Sequence, residues 1–192
     1  MQNHEIIQSI KQTCKLLSDM QVQEAALHIK ENYPFKPLSK SKRQYKKREM
    51  TEIFVRDKFT DRYKGHQLVF PPSLRLISKY IPEIFPYHKN GKMSLGHMAY
   101  WELFPTIDHV DPVAREGIDD KSNWVCCSLL SNSIKSNWTI KELGWELLPI
   151  DETTTWDGML GWYIEQVEAN NTFLSEKYFK DWYRAAKACS SL

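Results

Sequence analysis

The sequence predicts an α+β protein in which two short strands and a helix form a small core between helical flanks. Three observations lead there. Residues 106–110 and 123–127 are short strand-forming runs separated by a loop that contains Pro112, Gly117 and Asp119-Asp120. Ser128 follows the second run as a helix N-cap, ahead of a segment carrying Asn132 and Lys135. Amphipathic helical spacing recurs on both sides of this unit.

On the N-terminal side, Ile6, Ile7, Ile10, Leu16, Leu17, Ala25, Ala26 and Ile29 give residues 4–31 a helical period, and Pro34 and Pro37 then impose a short extended linker. A second helix is expected over residues 41–56, apolar at Tyr45, Met50, Ile53 and Phe54 and basic elsewhere. Residues 63–104 read as irregular, punctuated by Pro71-Pro72, Pro82, Pro86 and Asn90-Gly91, with a short helix from 94 towards 103 that Pro105 ends. Residues 138–148 offer a helical turn and room for a strand. Two further amphipathic helices are expected near 156–169 and 175–189. The chain therefore divides into an N-terminal helical segment (1–35), a core with a basic helix and an inserted loop region (36–150), and a C-terminal helical extension packed on that core (151–192).

A chain of 192 residues can bury a core of its own, and 42% hydrophobic with 26% charged residues is ordinary for a globular protein. No apolar run approaches the ~18–20 residues needed to cross a bilayer. The start MQNHEIIQSIK lacks a basic stretch followed by an apolar one, so the expected location is cytoplasmic, without a membrane partner. Cys14, Cys126, Cys127 and Cys189 form no CxxC pair, and adjacent cysteines in a strand face opposite ways, which fits reduced thiols better than disulfides. The net charge of +2 is unevenly distributed. Residues 36–64 hold eleven Lys or Arg against four Asp or Glu, a net +7, which leaves −5 for the rest. Such opposed blocks suit a polyanion on one side, although a helix with simply solvated lysines has the same composition.

The functional signal is a constellation. Asp108-His109 is followed fourteen residues after His109 by Asn123, nine residues later by Asn132, and one helical turn further on by Lys135. Any one Asp-His pair is common, and a lone histidine is more often structural than catalytic; the joined spacing in matching elements is what favours a site. This pattern resembles the HNH, or ββα-metal, endonuclease family over about residues 53–136.

The resemblance implies hydrolysis of a DNA phosphodiester to a 5′-phosphate and a 3′-hydroxyl. In that reading His109 is the general base, since a neutral imidazole can accept a proton near neutral pH. Asp108 and Asn132 are the oxygen ligands of a single Mg²⁺ or similar divalent cation such as Mn²⁺, with room left for water and phosphate. Asn123 has no proton to exchange, and by resemblance it bridges the loop to orient the strand bearing His109. Arg115 and Lys135 are the expected phosphate contacts, with Lys42, Arg43, Lys46, Lys47 and Arg48 as a broader basic surface for DNA. The loop reads Arg115-Glu116-Gly117 where the family usually has Arg-Gly-Gly.

Many HNH proteins also clamp the fold with a structural zinc on two cysteine pairs. The corresponding positions here are Asp61 and Lys64, then Ser128 and Ser131, so no structural zinc is expected and aromatic packing by Trp124, Trp138 and Trp145 is expected in its place. Neighbouring residues in a flat strand face opposite ways, so Asp108 and His109 can address one phosphate only if the strand ends, bends or presents its edge there. The alternative function is a non-catalytic nucleic-acid-binding module that keeps the fold. A homodimer would allow both DNA strands to be cut, but no heptad declares one. His88 and His97 lie outside the motif.

Overall fold

The apolar period of residues 4–31 is interrupted at Met20, which takes a left-handed conformation (φ 62°). The computed structural model describes residues 3–37 and 44–190, and in it this stretch forms α1 (Asn3–Ser18) and α2 (Val22–Asn32). Bonds from Met20 N to Leu17 O (3.1 Å) and from Gln21 N to Leu16 O (2.9 Å) close α1 in the paired pattern common at helix ends. Glycine usually takes that position, so a methionine there carried no warning. Residues up to Ser39 form one compact unit, and those from Lys40 onward form another. In the first, Ser9 and Ala25 are buried, and Ser9 Oγ meets His28 Nε2 at 3.3 Å.

The second unit begins with α3 (Lys47–Arg56), which buries Thr51, Ile53 and Phe54. It is shorter than expected: residues 44–46 are not helical, and Lys42 and Arg43 lie outside the described residues. Lys46 N donates to Glu49 Oε2 at 2.8 Å and starts the first turn. Helix α4 (Pro71–Tyr80) lies inside the stretch read as irregular. Its two prolines occupy the first turn, where a missing N–H leaves no helical bond unmade, so Pro71-Pro72 is a helix start and not a turn. The helix expected from 94 to 103 contracts to α5 (Ala99–Glu102).

Strands β1 (Pro105–His109) and β2 (Trp124–Ser128) form a two-stranded antiparallel sheet, pairing Ile107 with Cys126, Asp108 with Val125, and His109 with Trp124. Helix α6 (Leu129–Lys135) follows directly, and Ser128 Oγ caps it by accepting from Ser131 N at 3.0 Å. The architecture is mixed helix and strand. Residues 138–148 supply only α7 (Ile140–Leu143) and no strand.

Helices α8 (Leu160–Ala169) and α9 (Lys177–Cys189) complete the chain. The start of α8 is delayed by left-handed Gly158 and Met159, and a Cβ on Gly158 would collide with the ring of Phe59. One core joins Ile53 and Phe54 with Phe59, Phe70, Ile107, Trp124, Tyr163, Val167, Phe179 and Trp182. Each such side chain contributes roughly 1.5–3 kcal/mol on burial. Residues 151–190 thus supply part of the main core. Among the described residues no helix is long and apolar enough to cross a membrane.

Candidate active site

The pairing register decides where β1 presents its groups. Val110 N donates to Asn123 O, so residues of even number on β1 bond towards β2, and the carbonyls of Ile107 and His109 point to the strand's other edge. Helix α6 runs along that edge. Asn132 Nδ2 donates to Ile107 O (3.1 Å) and Thr106 Oγ1 (2.9 Å), and Lys135 Nζ donates to His109 O (2.6 Å). A spacing of three residues puts Asn132 and Lys135 on one helix face, and their two carbonyl partners bracket Asp108. Since a carbonyl only accepts, the amide group of Asn132 faces the strand, and its carboxamide oxygen is the atom available as a metal ligand.

Asp108 is buried, and its Oδ2 accepts from Tyr63 Oη (2.6 Å) and Lys135 Nζ (2.9 Å). Burial, followed by the neighbouring Asp108 charge, pushes the Tyr63 hydroxyl well above its usual range, so it stays a donor. Lys135 has no exposed surface. It is held on Asp108 and the His109 carbonyl, away from solvent.

His109 belongs to the other face of β1. Its Nε2 lies 2.7 Å from Asp119 Oδ1 and 2.9 Å from Trp124 Nε1, while Trp124 Nε1 is also 3.0 Å from Asp119 Oδ1. Tyr45 stacks edge-on against Trp124 at 5.0 Å, closing this side. The structure thus gathers Asp108, Asn132 and Lys135 on the α6 side and sets the His109 imidazole apart, at the last residue of the strand.

Asn123, also buried, spans the loop with three side-chain bonds: Nδ2 to Asp111 O (2.9 Å) and Ile118 O (2.8 Å), and Oδ1 from Asp111 N (2.9 Å). Both ends of the loop are thereby fixed to the start of β2. Within it, Glu116 adopts φ 71°, and a Cβ on Gly117 would collide with Asp111 O. The glycine is obligatory, whereas Glu116 bears the strain of a left-handed backbone that a glycine would avoid.

The basic candidates are largely occupied. Arg115 Nη1 meets both oxygens of Glu142 (2.7 and 2.6 Å), and this guanidinium holds the Glu142 carboxyl down at about 2. Arg48 pairs with Glu52 at 2.9 Å, and Lys47 Nζ lies 4.5 Å over the ring of Trp182, where partial desolvation lowers its pKa. Lys46 is exposed. His97 stacks on Phe85 at 4.2 Å, and His88 Nδ1 accepts from Asn90 N and Lys92 N at 3.3 Å.

Two organising residues were not among the expected site residues. Asp57 Oδ2 accepts from Cys126 N (2.7 Å), while its Oδ1 meets Arg56 (2.8 Å) and Arg62 (3.1 Å). Asp61 Oδ2 accepts from Ser128 N (3.0 Å), and its Oδ1 accepts from Tyr63 N (2.9 Å) and Lys64 N (3.2 Å). The Asp61 carboxylate therefore joins the segment of Asp61 and Lys64 to that of Ser128 and Ser131. The aromatics contribute beside it: Trp145 packs on Tyr63 at 5.5 Å, but Trp138 is half exposed.

Among the described residues, no group of three or more His, Cys, Asp or Glu side chains is placed to hold a metal. Asp108 and Asn132 together offer one carboxylate and one carboxamide, hard oxygen donors that fit Mg²⁺ in kind. No family model, curated protein or solved structure matches the chain.

Proposed function

We propose that this chain is a metal-dependent endonuclease of the HNH class that hydrolyses DNA phosphodiesters to 5′-phosphate and 3′-hydroxyl ends. The observation that carries the reading is the placement of α6 along the outer edge of β1, with Asn132 and Lys135 bracketing Asp108. The strand–loop–strand–helix order of a ββα core and the clamp made by Asn123 support it.

In this reading Asp108 and Asn132 hold the cation, Mg²⁺ or Mn²⁺, and Lys135 and Tyr63 fix the carboxylate. A divalent cation bound there would stabilise negative charge on the ester and the departing oxygen. His109 takes the proton of the attacking water. Because its ring and the Asp108 carboxylate occupy opposite faces, the scissile ester must lie across the free edge of β1 where the strand ends. The exposed Lys46 attracts phosphate directly, whereas Arg115 and Arg48 do so by exchanging Glu142 and Glu52 for DNA.

A second reading, a non-catalytic nucleic-acid-binding module, is favoured by one observation: Asp108 is already neutralised by Lys135. Incubating the protein with supercoiled plasmid over a Mg²⁺ series separates the two. Nicked or linear product that rises with Mg²⁺ and vanishes with chelator supports the nuclease, whereas metal-independent DNA binding with intact plasmid overturns it.

A further inference from the structure

The hairpin of α1 and α2 turns one polar and one apolar side outward. Ser9 meets His28 at 3.3 Å, and Ser9 and Ala25 are its only buried side chains among the described residues, so they mark where the two helices touch. At 3.6 residues per turn, Ile10 and Leu17 lie about 80–100° further round α1 than Ser9, with Ile7 and Cys14 on the outer rim. On α2, Val22, Ala26 and Ile29 lie about 40–100° further round than Ala25. The connection between Ser18 and Val22 is short enough to make the helices antiparallel, and in an antiparallel pair the same rotation along each chain leads to the same side. The two apolar runs therefore share one face. The opposite rotation from Ser9 leads to Gln8 and Gln12, which line a polar groove with His4, His28 and Asn32.

The apolar face is uncovered: Ile7 is 47% exposed, Ile10 40%, Leu17 47% and Val22 61%. By the same rotations, no charged side chain of either helix falls between the two runs. A compact unit of under about 40 residues rarely holds its fold without a disulfide, a metal or association, and this one buries only two small side chains. Its Cys14 is free, and its described residues include no group of metal ligands. We infer that the face binds the same face of a second copy of the chain, the two hairpins closing as a four-helix bundle about a two-fold axis. An apolar pair of helices needs no foreign partner for this, because it is complementary to itself. With helices about 24 and 16 Å long and about 10 Å wide, each copy covers about 400 Å² of its partner in flat outline, about 800 Å² in all. Interdigitating side chains bury more than the outline, which places the contact among weak, reversible interfaces. Cys14, on the rim, stays open to reagents. Each run is shorter than two heptads, so neither declares itself until the turn at Met20 sets them side by side. The inference goes beyond the nuclease reading and needs neither metal nor DNA.

Sedimentation equilibrium of the full chain tests it. The wild type should pass from one chain mass to two as concentration rises over about two orders of magnitude through the micromolar range. Amide exchange in α1 and α2 should slow over the same range while that of β1 and β2 stays constant, since association protects the hairpin alone. Ile10→Glu combined with Leu17→Glu, both at exposed positions, should raise the dissociation constant at least about 10²-fold by placing like charges inside an apolar contact. Leu27→Glu is the control. Leu27 is 57% exposed but lies about 200° round from Ala25, away from the face, so this change should leave the constant within about twofold. A chain that stays monomeric at every concentration, a dimer that survives the double substitution, or one weakened equally by Leu27→Glu overturns the inference. If the monomer instead sediments with phosphatidylserine vesicles, the face serves a membrane and the inference fails.

Discussion

Glu116 shows how much one backbone angle can cost in this loop. It holds φ 71° immediately before Gly117, whose own position tolerates no side chain. The left-handed conformation costs an ordinary residue about 1–2 kcal/mol, part of which glycine gives back through its freer unfolded chain. Glu116→Gly should therefore stabilise by about 1 kcal/mol, raising Tm by roughly 2–4 °C in calorimetry. Gly117→Ala should do the opposite, since its methyl would meet the Asp111 carbonyl. Asn123 is the other residue on which the loop depends. Replacing it with Ala removes three side-chain bonds, two of them to carbonyl oxygens. Under the proposed nuclease function, steady-state cleavage by Asn123→Ala should fall about 10²-fold in kcat as the strand end loses its orientation.

At the scale of elements, β1 and β2 are stabilised from outside the sheet on both edges. Side chains of α6 cover the outer carbonyls of β1, and Asp57 and Asp61 receive the outer amides of Cys126 and Ser128 on β2. A two-stranded sheet is marginal alone, so these contacts decide its persistence. Asp61→Ala leaves the backbone amides of Tyr63 and Ser128 without their acceptor and should cost about 2 kcal/mol or more, measured as a shift of the urea midpoint. The strands, the loop and the Ser128 cap were legible in the sequence because each is written in local chemistry. Helix α4 was not, because Pro71-Pro72 serves a turn or a helix start equally well. The roles of Tyr63 and Asp57 were also hidden: Tyr63 acts on a residue 45 positions away and Asp57 on one 69 away, distances at which spacing carries no signal.

Across the whole molecule, the C-terminal helices close the core that backs the sheet, so the site and the aromatic cluster of Phe70, Tyr163, Phe179 and Trp182 share one stability. The thiols report on it. Cys126, Cys127 and Cys189 are buried, and burial pushes all three upward, while Cys14 is exposed. A disulfide reagent should label one thiol quickly in the native protein and all four only after denaturation, with the slow phase following global unfolding. Spacing picked out Asp108, Asn132 and Lys135, with Lys135 expected on phosphate and not on Asp108, and the separation of the His109 ring depends on strand alternation and on Asp119 and Trp124, which no spacing rule includes.

If the chain is a nuclease, His109 at the end of β1 must serve an ester held beside Asp108 and Asn132. His109→Ala, assayed with Mg²⁺ on supercoiled plasmid and in parallel for DNA binding, tests this most directly. We expect cleavage to be abolished with binding retained; a variant that cuts as fast as the wild type would contradict it.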